Sequence, residues 1–297
     1  MKPSENPIPA GDGTPAGRAP LPRPPESMRP DRPEVITAAG AGRKSESTPG
    51  IQLDCLVGPH NQACDLTTGL ATFQPGTGVS YHTHTFSESV TLLQGKGRVQ
   101  VEGREYKLEP LDNVTIPRGL AHRAFNPSKA PSLFHVAVPT STLTREIVDR
   151  EFAAQSMPSA STGFPGAEYV TRMKTALRYE TGSNTICVDY FNARLVPGLE
   201  MSGGYALFQH GGRLPAHVHD FDESISIIQG EATCIVEGRR YTLADHATAL
   251  QPRGRVHYFM NDSSAPMAMI WVYAGPMPER IIVDECCATV EGNPWKP

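Results

Sequence analysis

The stretch HTHTFSESVTLLQG, His82 to Gly95, returns 135 residues later as HVHDFDESISIIQG, His217 to Gly230. Both copies place two histidines at i and i+2, a glutamate four residues on, and a largely β-forming run that ends in Gln-Gly. Alternate side chains of a strand share a face, so His82 and His84 project together, as do His217 and His219. Each pair forms a two-nitrogen claw. Glu88 or Glu223 follows after enough chain for a turn to present its carboxylate from an adjoining strand.

Moving outward at the same offset, FQPG from Phe73 falls on FQHG from Phe208, and VEGREYKL from Val101 on VEGRRYTL from Val236. PRGLAH from Pro117 meets PRGRVH from Pro252, Asn126 meets Asn261, and TREIVD ending at Asp149 meets ERIIVD ending at Asp284. No gap is needed, so the chain holds two copies of one unit, paired from about Asp54 to Asp149 and Asp189 to Asp284. Short β-rich runs broken by Glu-Gly, Gly, Pro and Asn predict an all-β sandwich or barrel in each half. A third histidine, His122 or His257, arrives in a PRGxxH context whose Pro and Gly set a tight turn. Three imidazoles and one carboxylate suit Fe(II), Mn(II), Ni(II) or Co(II) and leave positions for water, oxygen or substrate.

These residues resemble the two signature motifs of the cupin superfamily. Gly76, His82, His84, Glu88 and Gly95 match the first, as do Gly211, His217, His219, Glu223 and Gly230. Pro117, Gly119, His122 and Asn126 match the second, as do Pro252, Gly254, His257 and Asn261; the motif's earlier Gly is replaced by Leu111 and His246. The resemblance implies a bicupin: two tandem jelly-roll barrels, each with a divalent transition metal, Fe(II) favoured and Mn, Ni, Co or Zn as alternatives. The expected ligands are His82, His84, Glu88 and His122 in one barrel and His217, His219, Glu223 and His257 in the other.

Cupins host many reactions, and the barrel does not choose among them. The leading expectation is a dioxygenase-type oxidoreductase acting on a small enol, diol or diketone. The alternatives are a metal-dependent decarboxylase or isomerase of small acids or sugars, or a non-enzymatic ligand-binding bicupin. Gentisate-type bicupins as a family lack the glutamate ligand and a complete second site. Oxalate decarboxylase-like bicupins share the ligand pattern but carry a glutamate-bearing lid loop that no segment here matches.

The predicted organisation is a disordered tail over 1–50, an N-terminal barrel over 51–149, a connector over 150–188 and a C-terminal barrel over 189–297. Eleven of the 28 prolines fall in the first 50 residues, which hold few large aliphatics, and about the first 45 residues are expected to be dispensable for folding and metal binding. Within the connector, AEYVTRMKTA reads as a short helix. The matched RxIVD segments, Arg145–Asp149 and Arg280–Asp284, are expected to dock on the opposite copy. A net charge of −4 without a basic face excludes a nucleic-acid partner. No apolar run reaches the roughly 18 residues of a membrane span, and the N-terminus has no secretory h-region. The expectation is therefore a cytoplasmic protein with a small-molecule substrate, six reduced cysteines and possible homo-oligomerisation. Arg118 and Arg253, inside the PRG turns, are expected to face solvent, and Tyr81 to pack away from His82.

The two sites are expected to differ. Counting by twos from the ligands, Ser80, Val90 and Ala124 face the first site, whereas Pro215, Ile225 and Phe259 face the second. The first is predicted to be the roomier and to take the substrate.

Overall fold

The computed structural model describes residues 23–157 and 161–289. It is nearly all β, built as two tandem jelly-roll barrels in which the paired sequence units take the same path. In the first barrel a sheet containing Thr67–Phe73, Glu88–Gln94, Asn113–Ile116 and Ser132–Val138 faces one containing His82–Thr83, Gly97–Val101, Arg104–Leu108 and His122–Phe125. Val90, Leu92, Val99, Val101, Ile116 and Phe134 fill the space between them. In the second barrel the long strand Ser202–Arg213 pairs with both Met267–Tyr273 and His257–Met260, which joins the corresponding strands into a single sheet.

The strand Glu88–Gln94 alternates as the sequence demands, yet Ser89 and Thr91, on the face away from the barrel interior, are also buried. That face lies against the second barrel. Asn113 donates to both hydroxyls, Thr68 and Ser224 hydroxyls meet at 2.7 Å, and Ser226 Oγ bridges Thr248 and His135. Beside this polar seam Val57, Leu66 and Ala137 of the first barrel pack with Val188, Tyr190, Leu250 and Ile270 of the second. The barrels thus share a core.

His135 sits in that seam, 1% exposed. Burial, aided by the charge of nearby His246, pushes its imidazole down to about 4 from the usual 6.5. On acidification the unfolded chain binds a proton near pH 6.5 that the folded chain refuses until near pH 4, so stability falls as pH drops through that window. The loss from this one group is at most about 3 kcal/mol. Denaturant unfolding between pH 7 and 4 checks it: the slope should flatten in His135→Gln, and an unchanged slope would show that other groups set the acid limit.

Four expectations need correction. Positions 1–22 of the predicted tail lie outside the described residues, but from residue 23 the chain is ordered and engaged. Val35–Thr37 forms a strand on Thr248–Leu250 of the second barrel, and Arg43–Thr48 forms one on Ile51–Val57. Polar side chains supply the anchorage that the proline-rich composition hid: Arg32 grips Asp222, and buried Glu34 accepts from Arg239 and Tyr241.

The connector contributes a strand rather than a helix. Tyr169–Thr171 pairs with Asn113–Ile116, while fully buried Glu168 accepts two bonds from Arg104, at 2.7 and 2.8 Å, and Arg172 binds Asp112 at 2.8 Å. Tertiary ion pairs override the weak helical pattern. The strand Tyr179–Phe191 runs across the expected boundary at 188, so the second barrel begins about ten residues earlier.

The RxIVD segments dock on their own barrels. Glu146 and Ile147 pair with Thr83 and His82, and Ile281 and Ile282 with Val218 and His217. Each HxH strand is two residues long with its outer edge otherwise unpaired, and these segments satisfy that edge.

At the missing motif glycine, Leu111 and His246 keep the left-handed backbone, with φ of +72° and +69°. A bulky residue there costs on the order of 1 kcal/mol or more. His246 also buries an unpartnered Nδ1. His246→Gly is expected to raise stability by about 1 kcal/mol in urea unfolding; a fall would mean that the ring's packing outweighs its strain.

No disulfide joins any of the six cysteines, and no helix among the described residues is long and apolar enough to cross a membrane.

Candidate metal centres

All eight expected ligands come together as two clusters, His82, His84, Glu88 and His122 in the first barrel and His217, His219, Glu223 and His257 in the second. Within each, the donor atoms lie within 4.8 Å of one another. The short HxH strand brings the first two imidazoles, the next strand starts at the glutamate, and antiparallel pairing sets His122 opposite His82 and His257 opposite His217. The PRG turn is held to the claw: Gly119 N–H donates to His84 O and Gly254 N–H to His219 O. Both glycines hold positive φ, +83° and +80°, which L side chains adopt poorly.

Every imidazole is oriented the same way. His82, His84 and His122 direct Nδ1 to the carbonyls of Ser80, Thr144 and Leu120 at 2.8, 2.5 and 2.8 Å. His217, His219 and His257 direct Nδ1 to Pro215, Phe221 and Arg255 at 2.9, 2.6 and 2.9 Å. A carbonyl only accepts, so each Nδ1 carries a proton, and in the neutral ring Nε2 is left as a bare lone pair aimed inward. Yet Glu88 Oε2 stands 2.7 Å from His122 Nε2, and Glu223 Oε2 stands 3.0 Å from His257 Nε2 and 3.1 Å from His219 Nε2. Two acceptors at that distance repel unless a proton or a metal cation lies between them. The buried Nε2 of His217 has no hydrogen-bond partner among the described residues. Both donor sets therefore fit a divalent cation, held by the four Nε2 and carboxylate donors of each barrel.

Electrostatics agree with that fit at His82 and at both glutamates. Burial, reinforced by the neighbouring imidazoles, pushes His82 down to about 4, so its donor nitrogen stays unprotonated at neutral pH. Burial opposes ionisation of Glu88 and Glu223, but the imidazoles beside each carboxyl hold it well below the usual range. His84 moves the other way: burial disfavours its charge, but the Glu88 carboxylate outweighs burial, so a proton competes with a metal ion for this nitrogen.

The first site is not the roomier one expected; the two sites differ in access rather than in volume. A cavity of about 370 Å³ in the first barrel is lined by all four ligands, together with Val90 and Ala124 as expected. The second barrel has a cavity of about 410 Å³, but Glu223 alone of its four ligands reaches the wall, beside Asp189, Arg194, Tyr179 and Arg280. Ile225 and Phe259 are buried in the second core. Ser80 corrects the alternation argument: it lies outside the first cavity, beside Tyr81 and Ile147. Tyr81 packs on Phe152, away from the site. Arg118 and Arg253 bind Glu200 and Asp220 and line neither cavity.

Two residues went unread in the sequence. Trp271 and Tyr273 help close the second site, with the Tyr273 ring 5.1 Å from the His219 ring and 5.3 Å from Trp271. At the 135-residue offset their counterparts are Val136 and Val138. The substitution of valine by large aromatics was visible there.

A cupin domain model matches residues 69–138 and 204–273, two segments separated by the same 135 residues. The chain belongs to the cupin superfamily and is a bicupin. No curated protein sequence matches it. Among solved structures, Lactobacillus farciminis oxalate decarboxylase in complex with formate is similar at a TM-score of 0.67 and 15% identity, over 88% of this chain and 91% of that one. Bacillus subtilis oxalate decarboxylase superposes at 0.65 with 14% identity, over 87% and 82%, and its Mn(II) centres are the subject of a related structure. AerE from Microcystis aeruginosa superposes at 0.59 with 15% identity, over 80% and 97%.

Proposed function

We propose that this bicupin is a metal-dependent enzyme whose first barrel converts a small carboxylic acid by decarboxylation or a related non-oxidative step, with Mn(II) ahead of Fe(II). This reverses the order expected from sequence, where dioxygenase chemistry led. The observation that carries the reading is the first cavity, where all four candidate ligands, His82, His84, Glu88 and His122, share one wall accessible to a substrate. The likeness to oxalate decarboxylases over most of the chain supports the choice of reaction class by analogy of fold.

A bound divalent ion would supply Lewis-acid polarisation of a carboxylate or carbonyl oxygen. The chain's own residues do the rest. Thr144, Ser80 and Leu120 carbonyls fix the imidazoles so that the Nε2 atoms converge without reorganisation. The lining is largely apolar, so a substrate that fills the cavity would displace water and strengthen charge interactions at the centre. Loss of CO2 breaks a carbon–carbon bond and leaves its electron pair on the substrate, which then takes up one proton.

The test is a panel of small carboxylic and keto acids given to protein loaded with Mn(II) or Fe(II), with CO2 and O2 followed together. The reading predicts CO2 release or isomerisation without stoichiometric O2 uptake. Stoichiometric O2 consumption with incorporation into product would restore the dioxygenase assignment.

A further inference from the structure

Beyond its ligands, the first cavity has two features that define what can enter it. Its walls are apolar, formed by Leu53, Phe73, Val90, Ile116, Phe134 and Val136 among others. Its rim carries a cation, Arg145, which lines the same cavity and makes no hydrogen bond or ion pair with another side chain among the described residues. The register that pairs Glu146 with Thr83 and Ile147 with His82 continues to set Arg145 opposite His84. Nearby arginines are committed elsewhere: Arg123 to Gln100 and the face of Tyr81, Arg118 to Glu200.

We propose that the first site takes a monocarboxylate with an apolar body, its carboxylate held by Arg145 beside the metal ligands and its body in the barrel. This rests on the first barrel being the substrate site. A guanidinium presents a planar fork that matches a carboxylate in two hydrogen bonds, and an unpaired one at a cavity mouth is free to do so. A compact diacid would leave most of the 370 Å³ empty and press a second charge against hydrocarbon, which is costly. An aryl or branched aliphatic body fills the space and gains from the same walls. Arg145 is thus a specificity-determining residue. The second cavity, with Asp189, Arg194 and Arg280 in its wall, is unsuited to that body.

The probes are phenylacetate, benzyl alcohol and oxalate, titrated calorimetrically into manganese-loaded full-length protein, with metal content and circular dichroism checked for each variant. Phenylacetate is expected to bind at least about tenfold more tightly than either of the others. Arg145→Gln should weaken phenylacetate about tenfold and leave benzyl alcohol unchanged, as loss of a charge-assisted pair requires. Ala124→Phe, which copies the residue matched in the second barrel, should abolish phenylacetate binding while retaining metal. Oxalate binding as tight as phenylacetate, no binding of phenylacetate, or unchanged phenylacetate affinity in either folded variant overturns the inference. Because binding is read without turnover, phenylacetate binding in a protein that releases no CO2 from any acid would sink the proposed reaction and leave this inference standing.

Discussion

Arg32→Ala is expected to destabilise the protein by about 3 kcal/mol, the scale for removing one partner of a buried ion pair. The expectation comes from what Asp222 would be left with. Its side chain is 1% exposed and accepts two bonds from the Arg32 guanidinium, both at 2.9 Å, together with the backbone N–H groups of Cys64 and Arg253. One carboxylate therefore ties together the N-terminal segment, the first barrel and the PRG turn beside the second metal centre. Arg32 also donates to the Gln62 carbonyl at 2.5 Å. Without Arg32 the buried charge keeps two amide donors and no counter-ion. Urea unfolding should show a lower midpoint with an unchanged slope. A loss below about 1 kcal/mol would mean that water or rearrangement replaces the guanidinium, and that the segment before Val35 is dispensable after all.

Stripping metal from the loaded protein is expected to have an effect of similar size. A ligand that binds only the folded state adds about 4 kcal/mol when present at a thousand times its dissociation constant. The structure gives that linkage a local cause: carboxylate and imidazole lone pairs face each other in both centres, and His217 Nε2 is buried without a partner. Chelation should lower the melting temperature, and Mn(II) or Fe(II) should restore it. The recovery should weaken toward acid, because protons compete for the same nitrogens. A melting temperature indifferent to chelator, in protein shown to have held metal, would contradict the assignment of both clusters.

Much of this was readable in the chain. The 135-residue offset exposed the duplication, and the i, i+2 histidines with their glutamate and distant third histidine gave both donor sets, because motif spacing is local and strand alternation is a strict period. What escaped were interactions with no period. Arg32 and Asp222 are 190 residues apart, and nothing in a proline-rich segment announces that one arginine will neutralise a buried aspartate. The strand at Tyr169–Thr171 was misread for a related reason: its place is fixed by Glu168 and Arg172 reaching Arg104 and Asp112 across the fold. Ser80 failed because it sits just before a two-residue strand, too short to impose alternation on its flank. The barrels' inequality was legible in Ala124 against Phe259, and more fully in Val136 and Val138 against Trp271 and Tyr273.

The proposed function places turnover in the first barrel, where the candidate ligands line a cavity, and leaves the second cluster enclosed by aromatic side chains. The most direct measurement compares His82→Ala with His217→Ala, each with its metal content determined and its fold confirmed, on a substrate that the wild-type protein turns over. Each variant should keep the metal of its untouched barrel. His82→Ala should lose at least about a hundredfold in kcat/KM, the scale for disabling a catalytic metal centre, while His217→Ala retains most of it. Loss confined to His217→Ala would place the chemistry in the second barrel, and equal partial loss in both would show two working sites.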